Sequence, residues 1–442
     1  MNEPFQDHMR AAQTAAKAGR WDVAEGSYRQ ALAITAESLE ARRGVGEALV
    51  FLKRFAEAEV LWRDIVARDE GDAASQQMLG LTLLRRRDLD GATVHLTRAL
   101  AFDSTRVEAA FNLGRINYSR GERAHAIAYF RRAVEVGPTH AKALAALVQT
   151  LSELQHEKEA VAAALKGLPV LEGSGAAPTV LNEVRHHLAH AYRRLGDIAA
   201  AADCYRAMVA ADPTDAVAQH LLAASEGKVN AGSASGFAKA FFDNLAGTFD
   251  EHLVGRLGYG SPARLLADLG ALRHDPASFA SVLDLGCGTG LMARALAEKY
   301  TMPNLVGLDI SEKMLQEAAK RGLYSALVAG DLLTGMRARM DAFDLIIAAD
   351  VFIYVPDLAP VMPEAARLLR PRGLFAFTVE ISALADVELA TNGHHRHNKD
   401  HLLRTAAASG LTLAHTADAP IRKEATEMVL GHYIYLEKTN RP

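Results

Sequence analysis

The chain has 442 residues, of which 50% are hydrophobic and 23% are charged. This composition is typical of a globular protein with two or three domains, and it excludes disordered, collagen-like and disulfide-stapled chains. The balance of 49 Lys and Arg against 53 Asp and Glu is too even to indicate a nucleic-acid or anionic-membrane surface over the whole protein. We therefore expect no nucleic-acid partner.

The cellular setting is predicted from what the sequence lacks. The two cysteines lie far apart without a metal-ligand spacing, which indicates neither a disulfide framework nor a zinc site. The first residues lack the basic and apolar regions of a signal peptide, and no apolar run reaches the length of about 18 residues that spans a bilayer. We expect a soluble, cytoplasmic protein without membrane insertion.

An internal repeat runs through residues 5–215. A small residue is followed four positions later by a large one and, after three more, usually by another small one. The copies are Ala24/Tyr28/Ala31, Ala58/Trp62/Ile65, Ala92/Leu96/Ala99, Ala126/Phe130/Ala133, Ala160/Ala164/Gly167 and Ala201/Tyr205/Met208. The first five copies are 34 residues apart and the last step is 41, which predicts a seven-residue insertion in the loop-like stretch 172–178.

This period resembles the tetratricopeptide repeat (TPR), and the fourth copy shows it best through Leu113, Gly114, Tyr118, Gly121, Ala126, Phe130, Ala133 and Pro138. The resemblance implies six helical hairpins and a final helix near 216–226, stacked into an α-solenoid over residues 1–227. A concave groove of this kind binds a protein partner or a protein substrate. The sequence leaves self-association and the oligomeric state open.

Residues 228–236 are rich in Gly, Ala and Ser, which predicts a flexible linker to a second domain at 237–442. From residue 281 onward, short apolar runs alternate with helical patterns. Alternation of this kind indicates βα units and a doubly wound, Rossmann-like parallel sheet. The predicted fold class is thus an α-solenoid followed by an α/β domain.

The most informative segment is 282–290, Val-Leu-Asp-Leu-Gly-Cys-Gly-Thr-Gly. A strand leads into a turn whose glycines allow positive φ and close approach to a ligand, and a helix follows. The spacing is GxGxG and differs from the GxGxxG of a dinucleotide pyrophosphate site. Asp284 precedes the glycines, and its acidity suits a ligand with an ammonium and a sulfonium better than one with two phosphates.

This segment resembles the first motif of class I S-adenosylmethionine-dependent methyltransferases, and the later motifs follow in family order. The resemblance implies that Asp309 accepts hydrogen bonds from the ribose hydroxyls, and that Asp331 meets the adenine amino group with Leu332 beside the ring. Asp350 has two readings: it faces the methyl donor or substrate, or it caps the following turn. The implied cofactor is S-adenosylmethionine, with a binding set of Asp284, Gly286, Cys287, Gly288, Gly290, Asp309, Ile310, Asp331, Leu332 and Asp350.

More narrowly, the chain resembles bacterial TPR-repeat methyltransferases through residues 241–254, Phe-Phe-Asp-Asn-Leu-Ala-Gly-Thr-Phe-Asp-Glu-His-Leu-Val, followed by Leu257-Gly258-Tyr259 and Pro262. In that family this helix folds over the cofactor cleft. The implied substrate or lid residues are Phe249, His252, Leu253 and Tyr259, to which we add Tyr354 after the fourth strand. The alternative is an amphipathic helix that only covers the edge of the sheet.

A general base is needed only when the nucleophile arrives protonated. Relatives carry an aromatic-x-His-Ser element and a later Arg-x-Glu element, where this chain has His394-His395-Arg396-His397-Asn398 and Arg422-Lys423-Glu424. His397 keeps the histidine position and is the first candidate base, because imidazole titrates near neutral pH, followed by His252 and Glu380. The close spacing of the histidines at 394, 395, 397 and 401 is compatible with a metal site. No carboxylate or cysteine completes such a site in the sequence, so no metal is expected.

The expected function is methyl transfer to an unidentified acceptor, with the repeats recruiting a protein substrate or partner. Two alternatives remain at this stage. One is a small-molecule or glycan-precursor methyltransferase whose repeats serve as an assembly scaffold. The other is a non-catalytic TPR adaptor that senses S-adenosylmethionine.

Overall fold

The computed structural model describes residues 3–228, 231–250, 259–272, 278–383, 385–424 and 427–439. The chain divides into two compact units, Met1–Gly196 and Asp197–Pro442. Among the described residues, none of the helices combines the length and the apolar character that a bilayer crossing requires.

The first unit consists of successive helices that each contact the next. They are α1 (Glu3–Lys17), α2 (Trp21–Ile34), α3 (Leu39–Phe51), α4 (Phe55–Arg68), α5 (Ala73–Arg85), α6 (Leu89–Phe102), α7 (Val107–Ser119), α8 (Arg123–Val136), α9 (Ala141–Glu153), α10 (Glu157–Gly173) and α11 (Pro178–Arg194). Aspartates start two of these helices, because the carboxylates of Asp72 and Asp88 accept backbone N–H groups of the first turn. The predicted helical repeats are confirmed.

A glycine in the first helix of a hairpin receives a large side chain from the second helix, and this contact recurs every 34 residues. A Cβ atom added to Gly46 would lie 2.6 Å from the Trp62 ring, and one added to Gly114 would lie 2.5 Å from the Phe130 ring. Gly80 stands in the same relation to Leu96, at 2.7 Å. These distances are too short for any side chain, so glycine is required where the helices approach each other.

The fifth hairpin exchanges the two sizes. Val148 occupies the position of Gly46, Gly80 and Gly114 in the three preceding hairpins. Ala164 occupies the position of the large residue. Both side chains are fully buried. The small and large partners have therefore changed helices while the interface remains filled.

The extra seven residues lie in helices and do not form the predicted loop insertion. Helix α10 has 17 residues against 14 in α8, and α11 has 17 against 13 in α9, while the connections keep their length. Glu172 and Gly173 still belong to α10, and Pro178 starts α11 at the helix position that proline favours. The turn-like composition of 172–178 thus marks a short connection between two lengthened helices.

The second unit opens with α12 (Ile198–Ala211), α13 (Ala216–Ser225), α14 (Ala231–Leu245) and α15 (Ser261–Leu272). The α/β part follows with β1 (Ser281–Leu285), α16 (Leu291–Ala297), β2 (Asn304–Asp309), α17 (Glu312–Ala319), β3 (Ala326–Ala329), α18 (Leu332–Arg337), β4 (Phe343–Ala348), α19 (Val361–Leu368) and β5 (Leu369–Ile381). It ends with β6 (Val387–Leu389), β7 (His395–His397), α20 (Lys399–Ala408), β8 (Leu411–Glu424) and β9 (Glu427–Lys438).

The structure differs from the predicted flexible linker at 228–236, because residues 231–236 form the first part of α14. One face of this helix is apolar and buried through Ala234, Phe237 and Ala238, and it contacts α13. Burial of that face stabilises a helix that the Gly and Ser content alone would not predict. Helix α12 of the sixth hairpin and the final helix α13 accordingly belong to the second unit, whereas the prediction had placed them before the boundary at residue 227.

Five parallel strands in the order β3-β2-β1-β4-β5 form the body of the sheet, and β9 and β8 extend it antiparallel beyond β5. Their buried side chains pack in two apolar layers against the flanking helices. The strand order reverses between β1 and β4, which is where doubly wound sheets bind ligands at their carboxyl ends. The predicted fold class is confirmed.

The short β6–β7 hairpin lies at this carboxyl end. Strand β9 pairs with β5 from Leu374 to Glu380, so β7 takes the opposite edge of β5, which β4 holds as far as Phe377. Pairing of β7 begins at Glu380, beyond the end of β4. The hairpin thus continues the sheet past β4 and borders the ligand-binding end.

Candidate active site

The glycine loop connects β1 to α16 with positive φ at three glycines: +61° at Gly286, +54° at Gly288 and +87° at Gly290. A Cβ atom on Gly286 would lie 2.4 Å from a Val351 methyl group, so packing against the end of β4 requires glycine there. Beside Gly288 the space is open, since the nearest atom to an added Cβ is a Phe249 ring carbon at 3.8 Å. The loop therefore exposes its backbone to a ligand at Gly288.

Cys287 and Asp309 tie the loop to the second strand. The buried Cys287 donates its N–H to the Leu308 carbonyl at 3.1 Å. Asp309 is 7% exposed, and its oxygens accept the N–H groups of Gly288 and Ser311, each at 2.8 Å. Burial raises the pKa of Asp309 in spite of these hydrogen bonds. Each carboxylate oxygen can accept a further hydrogen bond, so Asp309 retains capacity for ligand hydroxyl groups.

Asp284 is a buried carboxylate without a cation beside it. It is 1% exposed, and the Tyr324 hydroxyl donates to its Oδ2 at 2.8 Å. Burial raises the pKa of Asp284 to about 7, the Tyr324 hydrogen bond opposes this, and the charge of Asp309 adds to it. No Lys, Arg or His nitrogen among the described residues lies within 4.0 Å of this carboxylate. A bound cationic group would stabilise its ionised form.

The predicted adenine contacts Asp331 and Leu332 follow β3, and the predicted cofactor-binding residue Ile310 follows β2. Asp331 is exposed and caps α18, where its carboxylate accepts the Thr334 N–H at 3.0 Å and the Thr334 hydroxyl at 3.1 Å. Leu332 and Ile310 are half-buried. Their positions after neighbouring parallel strands bring them to the same edge of the sheet as Asp309. Their contact with the cofactor stays a prediction.

Helix α14 and the segment that follows it are held to the glycine loop and to the residues that flank α17. Asp243 accepts the Ser311 hydroxyl at 2.7 Å. Asp250 accepts the Thr289 hydroxyl and forms an ion pair with Arg321. These contacts hold Phe249 beside the open side of Gly288. The predicted lid residues His252 and Leu253 lie outside the described residues.

Aromatic rings extend from Phe249 to the end of β4; we call Phe237, Phe241, Phe242, Phe249 and Tyr354 the aromatic wall. Phe242 makes edge contacts with Phe249 and Tyr354, at ring-centroid distances of 5.9 and 5.0 Å. Tyr354 also meets the His394 ring edge-on at 5.6 Å. Tyr259, another predicted lid residue, is half-buried and donates its hydroxyl to the Ala349 carbonyl at 3.2 Å, so it anchors the end of β4.

Four side chains form a buried ion cluster beside this wall: Asp350, Glu380, His394 and Arg422. Arg422 Nη1 donates to both Asp350 oxygens, at 2.7 and 2.9 Å, while Nη2 donates to Glu380 Oε1. The charged side chains of Asp350, Arg422 and Glu380 are 9%, 5% and 3% exposed. Asp350 has φ +59° and donates its N–H to the Thr378 hydroxyl at 2.8 Å. Asp350 is therefore held by Arg422 and Thr378, a geometry that neither of its two sequence-based readings described.

Two candidate bases need correction. His397 is completely buried, donates Nε2–H to the Phe352 carbonyl at 3.1 Å, and has a pKa lowered by burial. Burial would raise the pKa of Glu380, but the hydrogen bonds and charges of His394 and Arg422 outweigh it and lower the pKa to about 2. His397 is thus closed to an acceptor, and Glu380 stays ionised. The third candidate, His252, lies outside the described residues.

Three family descriptions match the chain. "Methyltransferase domain" matches residues 283–377, and two tetratricopeptide-repeat descriptions match 9–74 with 78–143 and 182–225. The methyltransferase match covers the strands and loops that carry Asp284, Asp309 and Asp350.

The chain is similar to nocamycin O-methyltransferase of Saccharothrix syringae, with 35% identity over 142 residues that cover 31% of this chain and 49% of the relative. It is also similar to malonyl-[acyl-carrier protein] O-methyltransferase of Methylovorus sp. (strain MP688), with 30% identity over 35% of this chain and 54% of the relative. The chain thus spans about half the length of these curated relatives. A solved S-adenosylmethionine-dependent methyltransferase from Clostridium acetobutylicum aligns at 16% identity with a TM-score of 0.34, over 45% of this chain and 100% of that one.

Proposed function

Because the chain carries tetratricopeptide repeats and a class I, S-adenosylmethionine-dependent methyltransferase domain, we propose that it is an enzyme that transfers a methyl group to an acceptor. The observation that carries this proposal is the combination of an open glycine loop with the buried carboxylates of Asp284 and Asp309, neither of which has an ion-pair partner among the residues that the structure describes. Bound S-adenosylmethionine supplies an electrophilic methyl group on a sulfonium.

The residues present fit this cofactor. Gly288 gives backbone access, Asp309 has lone pairs left for the ribose hydroxyls, and Asp284 offers a buried carboxylate to the ammonium group. Asp331 would meet the adenine amino group, with Leu332 beside the ring. Because these groups address different parts of the donor, we expect stoichiometric binding without added metal. Among the described residues, no three His, Cys, Asp or Glu side chains are grouped to hold a metal ion.

The chain contributes alignment and exclusion of water. Phe249 lies beside the glycine loop, and the aromatic wall continues from it towards His394. An apolar wall of this kind removes water from the reacting groups. Holding acceptor and donor in line supplies up to about 7–11 kcal/mol of rate enhancement in favourable cases.

We assign recruitment of a protein substrate or partner to the repeats, because stacked helical repeats present extended binding surfaces. A second candidate is a small-molecule acceptor, with the repeats as an assembly scaffold. The similarity of this chain to nocamycin O-methyltransferase favours this second candidate. We place the protein in the cytoplasm, because the sequence has only two cysteines and they lie far apart, which does not indicate a disulfide framework.

Calorimetry with S-adenosylmethionine and a tritiated-methyl transfer assay test the proposal. The assay uses cell extract separated into macromolecular and small-molecule fractions. Label in the macromolecular fraction supports a protein substrate, and label in the small-molecule fraction supports the second candidate. Absence of donor binding by the wild type would contradict the proposed function, whereas binding without transfer would support a sensing adaptor.

The role of the repeats is tested by comparing the full chain with a fragment of residues 197–442 at equal donor saturation. The fragment keeps the whole second unit, so we expect it to bind the donor after circular dichroism has verified its fold. Recruitment by the repeats predicts a large loss of activity on the natural acceptor, since tethering raises effective concentrations to the mM range. Equal activity would assign the repeats to assembly.

A further inference from the structure

Four histidines lie between residues 394 and 401, and their surroundings differ sharply. His395 and His397 are fully buried, and both rings contact backbone carbonyls of the turn after β4. His401 is 30% exposed at the start of α20 and lies 3.3 Å from Asp386. His394 alone of the four belongs to the buried ion cluster and also meets the aromatic wall.

We propose that His394 is the general base of the acceptor site, and that the acceptor atom is a neutral hydroxyl oxygen carried on an apolar body. The inference rests on the proposed methyl transfer and names the substrate class of that same site. It differs from the sequence-based expectation, which favoured His397.

The first support is the hydrogen bond that orients the imidazole. His394 Nδ1 lies 3.0 Å from Glu380 Oε1, and its side chain is 14% exposed. Arg422 Nη2 and Asn392 Nδ2 lie 3.0 and 3.1 Å from the same nitrogen, but both are donors, so the carboxylate is the acceptor among these three neighbours. Because Glu380 is ionised, Nδ1–H donates to it, and Nε2 keeps a lone pair that can take a proton.

The second support is position. Val351 packs on Gly286 of the glycine loop, and three residues later Tyr354 meets the His394 ring. On the other side, Phe249 beside Gly288 leads through Phe242 to the same Tyr354. A continuous wall thus joins the cofactor loop to His394, and an apolar acceptor body can pack along it.

The third support is that the positive charge of Arg422 is already neutralised within the cluster. Arg422 already binds Asp350 with one nitrogen and Glu380 with the other, and all three side chains are buried. A carboxylate acceptor would need an arginine that is not already neutralised. The arrangement therefore favours an acceptor that arrives uncharged and must lose a proton.

In the proposed step, the acceptor O–H bond breaks and an N–H bond forms at His394 Nε2, while the electron pair stays on oxygen. That pair forms the bond to the methyl carbon, and the former carbon–sulfur bonding pair remains on the donor sulfur. Glu380 stabilises the resulting imidazolium through Nδ1–H. Later release of the proton to water restores the base.

The first test observes the histidine without turnover. We would record ¹⁵N-histidine NMR spectra of the full-length protein, alone and with S-adenosylhomocysteine, and assign His394 with the His394→Asn variant. The expected result is a proton on Nδ1 and an unprotonated Nε2, with this tautomer lost in Glu380→Gln. A proton fixed on Nε2 of His394 in the wild type would overturn the proposal.

The second test measures turnover on the extract fraction that accepts label. His394→Asn retains a donor near Nδ1 but has no base, so kcat should fall by about 10²–10⁴-fold with S-adenosylhomocysteine affinity within about twofold of wild type. His401→Ala is the matched control, with unchanged kcat. Wild-type kcat in His394→Asn would refute His394 as the base and leave the proposed function intact, whereas a wild type that binds no donor would refute the proposed function itself.

Discussion

Two ionic contacts, one in each unit, differ in their exposure to water. In the first unit, Arg68 pairs with Glu37 on the preceding repeat, and the two side chains are 48% and 76% exposed. In the second unit, Arg422 pairs with Asp350 and Glu380 where none of the three side chains is more than 9% exposed. Each arrangement satisfies its charges, but only the second removes them from water.

The difference in exposure predicts different contributions of the two ionic contacts to stability. Exposed pairs contribute between zero and about 1 kcal/mol, so the repeats depend on interhelical packing for their stability. A buried pair is often no more stable than an apolar replacement, although breaking it is costly. A buried ion cluster at the ligand-binding end of the sheet is therefore better explained by what it holds in place than by stability.

The largest expected effect follows from removing the central cation. Arg422→Ala removes the buried cation that Asp350 and Glu380 share, and it should lower the free energy of unfolding of the second unit by about 3–5 kcal/mol. Both tryptophans, Trp21 and Trp62, lie in the first unit, so the tryptophan fluorescence transition should stay unchanged while the calorimetric transition of the second unit shifts.

The matched control for that variant is Arg68→Ala in the first unit. Loss of an exposed pair should change the fluorescence-detected stability by less than about 1 kcal/mol. If Arg422→Ala were as mild as Arg68→Ala, the contrast between buried and exposed pairs would not hold.

A second prediction concerns the donor. Asp309→Ala should weaken binding of S-adenosylmethionine by about 1.5–3 kcal/mol, because it removes charge-assisted hydrogen bonds to the ribose. Isothermal titration calorimetry measures the change. Asp331→Ala provides a comparison at an exposed carboxylate, and an Asp309→Ala protein with wild-type affinity would refute the ribose assignment.

The third prediction changes packing in the repeats. Gly114→Ala places a Cβ atom 2.5 Å from the Phe130 ring and should destabilise the first unit by about 1–3 kcal/mol. Tryptophan fluorescence during urea unfolding reports the shift. Gly26→Ala, in the middle of α2 with no atom within 4 Å of the added Cβ, should instead stabilise by about 0.5–1 kcal/mol. Equal effects of the two changes would show that the glycine contact is unimportant.

A fourth prediction is a pH dependence of donor binding. The pKa of Asp284 is raised to about 7, so below neutral pH the donor-free carboxyl is protonated and must release a proton before it binds an ammonium. Affinity should rise from pH 5 to 7 by about tenfold per unit and level off above. Calorimetry in buffers of different ionisation enthalpy should detect the released proton, and Asp284→Asn should abolish the slope. A wild-type affinity independent of pH would contradict this role.

The features that could be predicted from the sequence are those formed by residues close to each other along the chain. The 34-residue period identified the repeats because the contact of Gly114 with Phe130 spans only a single hairpin and recurs along the chain. The glycine loop was predictable from a single segment of the sequence, whereas Asp309 was predicted from the resemblance to methyltransferase motifs, and the structure places it in contact with Gly288 of the loop. The helix at 231–236 was missed because its stability comes from a buried face that Ala234 and Phe237 share with α13.

The ion cluster could not be predicted, because its partners are remote in sequence. Arg422 lies 72 residues from Asp350 and 42 from Glu380, and the antiparallel β8–β9 pair must first bring it to the end of β5. The one sequence signal was the Arg-Lys-Glu element at 422–424, which marked Arg422 without naming its partners. The sequence identified His394 only as one of four neighbouring histidines. Its contact with Glu380 depends on the pairing of β7 with β5, which the sequence did not predict.

The position of helices α12 and α13 within the second unit has an evolutionary consequence. His220 on α13 reaches the Gly393 carbonyl at 2.8 Å, and an added Cβ on Gly393 would lie 3.2 Å from this ring. Gene rearrangements that gain or lose repeats upstream of Asp197 leave this contact whole, whereas a recombination point at residue 227 would divide it between two parents. The inheritable module therefore begins at α12, and substitutions at positions 220 and 393 are expected to be correlated among descendants.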